Sequence, residues 1–407
     1  ASTGDAGPCT VIGRASGTGA AAAAQANGGA STVLQLQDGH RIARGHPASH
    51  IVPAVLAMSE VQGADGEAFL SAFVAGYEAS VRIGIALGGL RPELHDAGTW
   101  GTLGAAVGAT LLLTSDARVV AQAIDGAACV AMQPWSQTAP QGASVHHLYI
   151  GLAASMGISA AQGAVAGLTA IGGTIEAFFG PRAGAAFDAS RLTDSVTNGR
   201  WAHYELMHAY LKVHPTCAHQ HGVNDAVQHL IERHGVRGDD VATVQIDTYA
   251  HGLAYDNHAP RTELAARFSA SYTTAIALQR GRLGADGITE AALSDAAVQS
   301  LVARTEVRHD PALDAHYPAG RPARVTFRLR DGRVLQETCL YPRGDSTNPS
   351  TRAERRAKAT GLLALRLGAA GAARVTTAFD ALLAGGPLSA LCQALRHAGA
   401  DAAQMSH

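Results

Sequence analysis

Histidine and lysine are the residue types whose number and placing bear on chemistry in this chain. It has 407 residues and 19 histidines, but lysine stands only at positions 212 and 358 among 31 lysines and arginines. Arginine is the rule here, so a lysine inside the apolar, histidine-rich stretch Lys212-Val213-His214-Pro215-Thr216-Cys217-Ala218-His219-Gln220-His221 is conspicuous. Lysine is a compact cation with a tunable pKa, suited to gripping a carboxylate or damping a developing negative charge. The competing reading is an ordinary surface lysine. Lys358 follows Arg352-Ala353-Glu354-Arg355-Arg356 and reads as part of a solvated charged face.

The histidines cluster at His40, His46 and His50, at His146 and His147, and at His214, His219 and His221. A neutral imidazole exchanges protons near pH 7. His46, between Gly45 and Pro47, belongs to a turn before an apolar helix, and His95 precedes a helix of small residues. A helix N-terminus favours the neutral ring and attracts carboxylates. The i, i+4 pair His46 and His50, or the alternating Cys217, His219 and His221, has the spacing of metal ligands. No matching second half follows, so no metal is expected. His203, His208, His251, His258, His397 and His407 read as surface or structural histidines. Cys9 to Gly19 looks like a strand and glycine loop but lacks the βαβ context of a dinucleotide site. GxSxG, HExxH and a phosphate loop ending in Gly-Lys-Ser/Thr are absent from the sequence.

The elements that must position these residues are mostly helical. Phe69, Leu70, Phe73, Val74, Tyr77 and Val81 recur at helical spacing. A second helix is expected from about Thr99 to Leu113, and a third from Tyr149 to Ile175, within a stretch free of Asp, Glu, Lys and Arg. That third helix is expected to be fully buried, not to span a membrane. Val223, Val227, Leu230 and Ile231 mark an amphipathic helix, and Val241 to Tyr249 reads as a strand. Val325, Phe327 and Leu329 alternate with polar residues, and Asp331-Gly332 predicts a two-residue hairpin turn before Val334 to Leu340. From Ser350 the chain is helical again, with Leu388, Leu391 and Leu395 as a stripe. The order predicts a mainly α fold: a large helical domain (1–204 and 346–407) interrupted by a small α+β domain (205–345).

Hydrophobic residues make up 47% of the chain and charged residues 16%, enough for a large core. A net charge of −2 without a basic block argues against nucleic-acid and membrane-surface partners. Five scattered cysteines, with no CxxC pair and no visible signal peptide, point to a reducing compartment, hence the cytoplasm.

Several segments together carry a resemblance. They are Asn27-Gly28 through Gly45-His46-Pro47-Ala48-Ser49-His50 to Pro53-Ala54; His95-Asp96-Ala97-Gly98-Thr99-Trp100-Gly101-Thr102-Leu103-Gly104-Ala105-Ala106; Gly151-Leu152-Ala153-Ala154 through Gly163; and Lys212 through His221. Phe268-Ser269-Ala270-Ser271-Tyr272 and Asn348-Pro349 add to them. In this order they resemble the MmgE/PrpD family of 2-methylcitrate dehydratases, cis-aconitate decarboxylases and iminodisuccinate epimerases, over essentially the whole chain. The resemblance implies a large helical plus a small α+β domain, a homodimer, no cofactor, and a small di- or tricarboxylate substrate. It also makes Lys212, His46 and His95 catalytic, with His146, Gln35, Asp38 and His221 binding substrate. By this resemblance the family's opening helical segment is expected to be missing from the sequence given. Gln35 stands where the family has a catalytic Asp, Gly39 where it has a Thr, and His146 where it has a lysine. A neutral Gln cannot act as a base, and His146 holds a carboxylate only when protonated.

The expected activity is a cofactor-independent hydro-lyase resembling 2-methylcitrate dehydratase. The alternatives are a dicarboxylate epimerase, a decarboxylase, and a carboxylate-binding member that has lost catalysis.

Overall fold

The computed structural model describes residues 6–404, with side chains through 396. Six helices build the first body: α1 (Ala20–Ala30), α2 (Ala48–Gln62), α3 (Gly66–Ala86), α4 (Trp100–Leu111), α5 (Ala117–Val130) and α6 (Val145–Val165). Helix α4 is its axis, buried from Trp100 to Thr110 and packed on α2, α3, α5 and α6. Few aromatics and many small residues dictate this packing, since backbones must approach closely where side chains cannot fill space. A Cβ on Gly76 would lie 2.7 Å from Gly104 O, and one on Gly151 would lie 2.2 Å from Gln25 O. Gly151→Ala is therefore expected to drive α6 off α1 and lower stability by about 1–3 kcal/mol, read as a fall in Tm.

Residues 175–206 still pack on α3, α5 and the core around Trp100, and the chain then builds a second, mixed body. Its sheet runs in the order Thr305–His309, Val241–Thr248, Ala323–Leu329, Val334–Cys339. The first pair is parallel and the others antiparallel. The helices His221–His234 and Ala270–Arg280 cover the sheet around Val244, Ile246, Phe327, Tyr272 and Ile276. The helices Arg352–Leu383, broken at Gly368, and Leu388–Gln404 return to the first body. There Val375, Leu382, Leu388 and Leu391 join the core containing Trp100 and Ile51. The fold is thus mainly α with a smaller α+β part.

Two local expectations are corrected. The hairpin loop has three residues, not two: Leu329 N donates to Arg333 O and Gly332 N to Leu329 O, with Gly332 at φ +91°. A glycine at positive φ closing a tight turn gives that three-residue form. Helix α6 ends at Val165 and buries one face only, through Ile150, Ala153, Ala154, Gly157, Ile158 and Ala161. Leu148 and Val165 are left exposed. By length and hydropathy alone, α3, α6 and Arg352–Leu383 each suffice to cross a membrane. Helix α3, however, holds the buried ion pair Glu78–Arg82 and much of the core around Trp100.

Two features of this frame place the site. A two-stranded antiparallel ribbon pairs Asp38–His40 with Ala209–Leu211, in the register Asp38 with Leu211. It carries the segment leading to His46 alongside the segment leading to Lys212, joining residues far apart in sequence. Two of the three non-glycine residues at positive φ among the described residues, Gln35 (+53°) and Arg44 (+56°), flank this ribbon.

Candidate active site

A cleft of about 490 Å³ opens between the two bodies. Gln35, His46, His95, His146 and Lys212 all line it, although they come from five separate stretches of chain. Lys212, only 1% exposed, sits inside the protein. Burial pulls its ammonium down to about 8.

The hydrogen bonds fix tautomers. Asp38 O can only accept, and His46 Nδ1 lies 2.6 Å from it, so that nitrogen carries the proton and the basic lone pair is on Nε2. Burial, followed by the charge of Lys212, pushes His46 down to about 3, so the ring is neutral at physiological pH. Lys212 can only donate, and its Nζ is 3.1 Å from Gln35 Oε1. The Gln35 amide nitrogen therefore faces His146 Nε2, at 3.4 Å. His146 Nδ1 then donates to Tyr149 Oη at 2.7 Å, and that hydroxyl pairs with Thr138 Oγ1 at 2.7 Å. Gln35 thus couples the lysine to a neutral histidine as a fixed amide.

His146 is held near 2 by burial and by the neighbouring rings of His95 and His147. Burial therefore favours its neutral form, against the expectation that it grips a carboxylate as a cation. His95 packs on His146 with ring centroids 5.0 Å apart, and its Nδ1 lies 3.0 Å from Asp96 Oδ1. Asp96 Oδ2 accepts the His46 backbone N–H at 2.8 Å. Burial alone would raise the Asp96 carboxyl, but His95, His46 and His50 outweigh it and hold Asp96 ionised.

Two expected substrate contacts do not line the cleft. Asp38 lies behind His46, its Oδ2 accepting from Tyr77 Oη at 3.2 Å and Ala48 N at 3.3 Å. Burial pushes its carboxyl up to about 6. His221 packs under the floor against His214, with ring centroids 5.4 Å apart, and borders a smaller void with Tyr210 and Arg321. His50 is fully buried, and its Nε2 accepts from Gly98 N at 3.3 Å. Lys358 is not on a solvated face: its Nζ donates to Leu36 O at 2.9 Å, and burial draws it down to about 8.

Residues given no role at this site by the sequence complete the wall. Arg41, Arg44, Arg91 and Arg321 border the cleft, as do Tyr210, His219, His251, Tyr255 and Tyr317. His251, expected to be structural, stacks on Tyr317 with centroids 5.6 Å apart, and His219 stacks on Tyr255 at 4.9 Å. The Arg321 guanidinium lies 4.5 Å over the Tyr210 ring. A Cβ on Gly39 would fall 2.2 Å from the Tyr210 ring and hydroxyl, so Tyr210 fills the room a threonine at 39 would need. Burial raises the Cys217 thiol, which argues against a thiolate nucleophile. Arg41 and Arg44 had a signal in their closeness to His46; Arg321 and Tyr317 had none, because only tertiary folding brings them in.

Residues 1–186 match the family model described as the MmgE/PrpD N-terminal domain, and residues 214–382 match the MmgE/PrpD C-terminal domain. The chain belongs to the MmgE/PrpD family. It is 25% identical over 366 residues to the cis-aconitate decarboxylase-like protein oryM of Aspergillus oryzae, covering 83% of this chain and 74% of that protein. It is 26% identical over 364 residues to a cis-aconitate decarboxylase of Aspergillus terreus, with the same coverage.

Proposed function

We propose that the protein is a cofactor-independent lyase acting on a small di- or tricarboxylate, in the first reading a hydro-lyase like 2-methylcitrate dehydratase. The observation that carries this is the meeting of a buried Lys212 cation and a neutral His46 in a cleft bordered by four arginines and one carboxylate, Asp96. Substrate carboxylates engage Arg44, Arg321 and Lys212. His46 Nε2 takes the proton beside a carboxylate, and Lys212 meets the negative charge that develops on that group. The C–O bond then breaks, a C=C bond forms, and the leaving hydroxyl takes a proton from Lys212 and departs as water. His46 returns its proton to Lys212 through solvent. Asp96 positions His46 through its backbone N–H and His95 through its ring. A second reading, decarboxylation with proton delivery to carbon and release of carbon dioxide, is favoured by the names of the two Aspergillus relatives.

The test is proton NMR in heavy water with 2-methylcitrate, citrate, cis-aconitate and iminodisuccinate. An olefinic product without gas supports the hydro-lyase, whereas carbon dioxide supports the decarboxylase. Deuterium wash-in without elimination would mark an epimerase. Thermal stabilisation by these acids with no turnover on any of them would overturn the enzymatic reading. The kcat/KM profile is expected to be a bell. It rises across about pH 6 as Asp38 ionises behind His46, and falls across about pH 8 as Lys212 loses its charge.

Arg44 offers a separate check. Among the described residues no hydrogen bond or ion pair holds Arg44, and its backbone is left-handed at φ +56°. Such a conformation costs about 1–2 kcal/mol outside glycine, and strain of this kind concentrates at functional positions. Arg44→Gly relieves the strain but also loosens the unfolded chain, for a net gain of about 0.5–1 kcal/mol. The same change removes a charged carboxylate contact, so KM is expected to rise about tenfold. Higher Tm with poorer substrate binding is the expected pair of readings.

We also infer a homodimer. The apolar residues Leu148, Val165, Leu168 and Ile171, exposed on and just after α6, support it. The molar mass in solution tests it.

A further inference from the structure

We propose that His203, Glu205 and His208 form a binding site for a divalent d-block cation such as Zn²⁺, outside the cleft. One ligand atom from each of the three lies within 4.8 Å of the others, and the His203 and His208 rings are 5.8 Å apart. His203 Nε2 is 2.8 Å from Glu205 Oε1. Ligand atoms bound tetrahedrally at about 2.0–2.2 Å stand a little over 3 Å apart, so small side-chain rotations bring this set to a cation. Two imidazoles and a carboxylate suit the borderline metals Zn²⁺, Co²⁺ and Ni²⁺, while Mg²⁺ and Ca²⁺ prefer oxygen alone. Water would take the fourth position.

Several features show that this is a built site. The Glu205–His208 turn is anchored from below by the buried Glu78–Arg82 pair on α3. Glu78 accepts the backbone N–H groups of Glu205 at 3.0 Å and Leu206 at 2.9 Å, and Arg82 donates to His203 O at 2.9 Å. Beside the turn lies a cavity of about 240 Å³ bordered by His40, Arg41, Ile42, Glu205 and His208. His40 is 1% exposed and aims into it. Its Nδ1 accepts from Ala43 N at 3.2 Å, so its proton is on Nε2, 3.2 Å from Glu205 Oε2. That approach is oblique and leaves Nε2 without an aligned hydrogen bond. A small turn of the ring would align it, and a histidine N–H donating to a ligating carboxylate orients metal ligands from outside. Arg41, the one cation at this cavity, is already paired with Asp345 at 3.2 Å. His40 also pairs in register with Ala209, three residues before Lys212. A cation here would tie down the loop that runs into the lysine, as a structural or regulatory ion and without entering the reaction.

The experiment measures Zn²⁺ binding to the full, tag-free chain by competition with a chromophoric chelator, and Co²⁺ binding by visible absorption. One cation per chain at micromolar or tighter affinity is expected, with visible Co²⁺ bands and a Tm raised by several degrees. His203→Gln and His208→Gln each lie on exposed side chains, so melts without metal should stay unchanged while affinity falls at least 100-fold. His40→Ala should weaken binding about 10–100-fold with stoichiometry unchanged. Unchanged affinity in the two glutamine variants, or no binding by the wild-type chain at millimolar Zn²⁺, overturns the proposal. Neither result touches the lyase reading, which uses none of these residues.

Discussion

Replacing Lys212 with methionine is expected to cut kcat/KM by at least about 10³-fold while leaving the protein as stable as before, or more so. The loss follows from two roles in one side chain. In the proposed mechanism Lys212 both holds a substrate carboxylate and supplies a proton, and proton transfer alone is worth about 10²–10⁴-fold. Both KM and kcat should therefore suffer. The stability argument runs the other way. Burial lowers the lysine from its ordinary 10.5 to about 8, so the folded state holds this charge against a penalty of about 3 kcal/mol. Methionine fills similar volume without the charge, and such replacements are commonly neutral or stabilising. Between about pH 8 and the unfolded lysine's 10.5, the unfolded chain binds the extra proton, so wild-type stability rises with pH across that window. In K212M that part of the rise should vanish, leaving the share that belongs to Lys358. Lys212→Arg should not restore activity. Guanidinium does not release a proton near neutral pH. Full turnover by K212M, with the same KM, would remove the lysine from the chemistry.

Lys212 was legible in the sequence because composition isolated it, and His46 and His95 because each precedes a helix. The strand alternation at Val325, Phe327 and Leu329 was equally plain, since period two is a local property. What the sequence hid was tertiary. Asp38 faces Tyr77 and the start of α2, which no spacing rule announces. His221 sits one helical step from the lining and falls beneath it. Lys358, beside four charged neighbours, reaches Leu36 O across more than three hundred residues. The departures at 35 and 39 were visible as letters only. Their meaning came from packing: Gly39 makes room for Tyr210, and Gln35 is the link that passes the orientation of Lys212 to His146. Absence of charge does not by itself mean burial: α6 leaves Val145, Leu148 and Val165 exposed.

Replacing His46 with glutamine should separate proton abstraction from binding. Glutamine can keep a donor toward Asp38 O, where His46 Nδ1 now sits at 2.6 Å, but it offers no basic lone pair in place of Nε2. The carboxylate grip proposed for Arg44, Arg321 and Lys212 is left in place, so KM and substrate-induced thermal stabilisation should change little. The kcat should fall about 10²–10⁴-fold. Removing the ring also removes one neighbour whose protonation would repel Lys212, but that ring is neutral down to about pH 3. The alkaline limb near pH 8 should therefore stay where it is. Deuterium exchange at the substrate carbon beside the carboxylate is the sharper reading, because it reports abstraction without elimination. In H46Q it should fall in step with turnover. In K212M, tested at substrate levels high enough to fill the site, slow exchange should survive, since the base is intact and only its electrostatic support is missing. The reverse pattern, with exchange retained in H46Q and lost in a His95→Gln protein, would move the base to the ring that Asp96 holds from the other side.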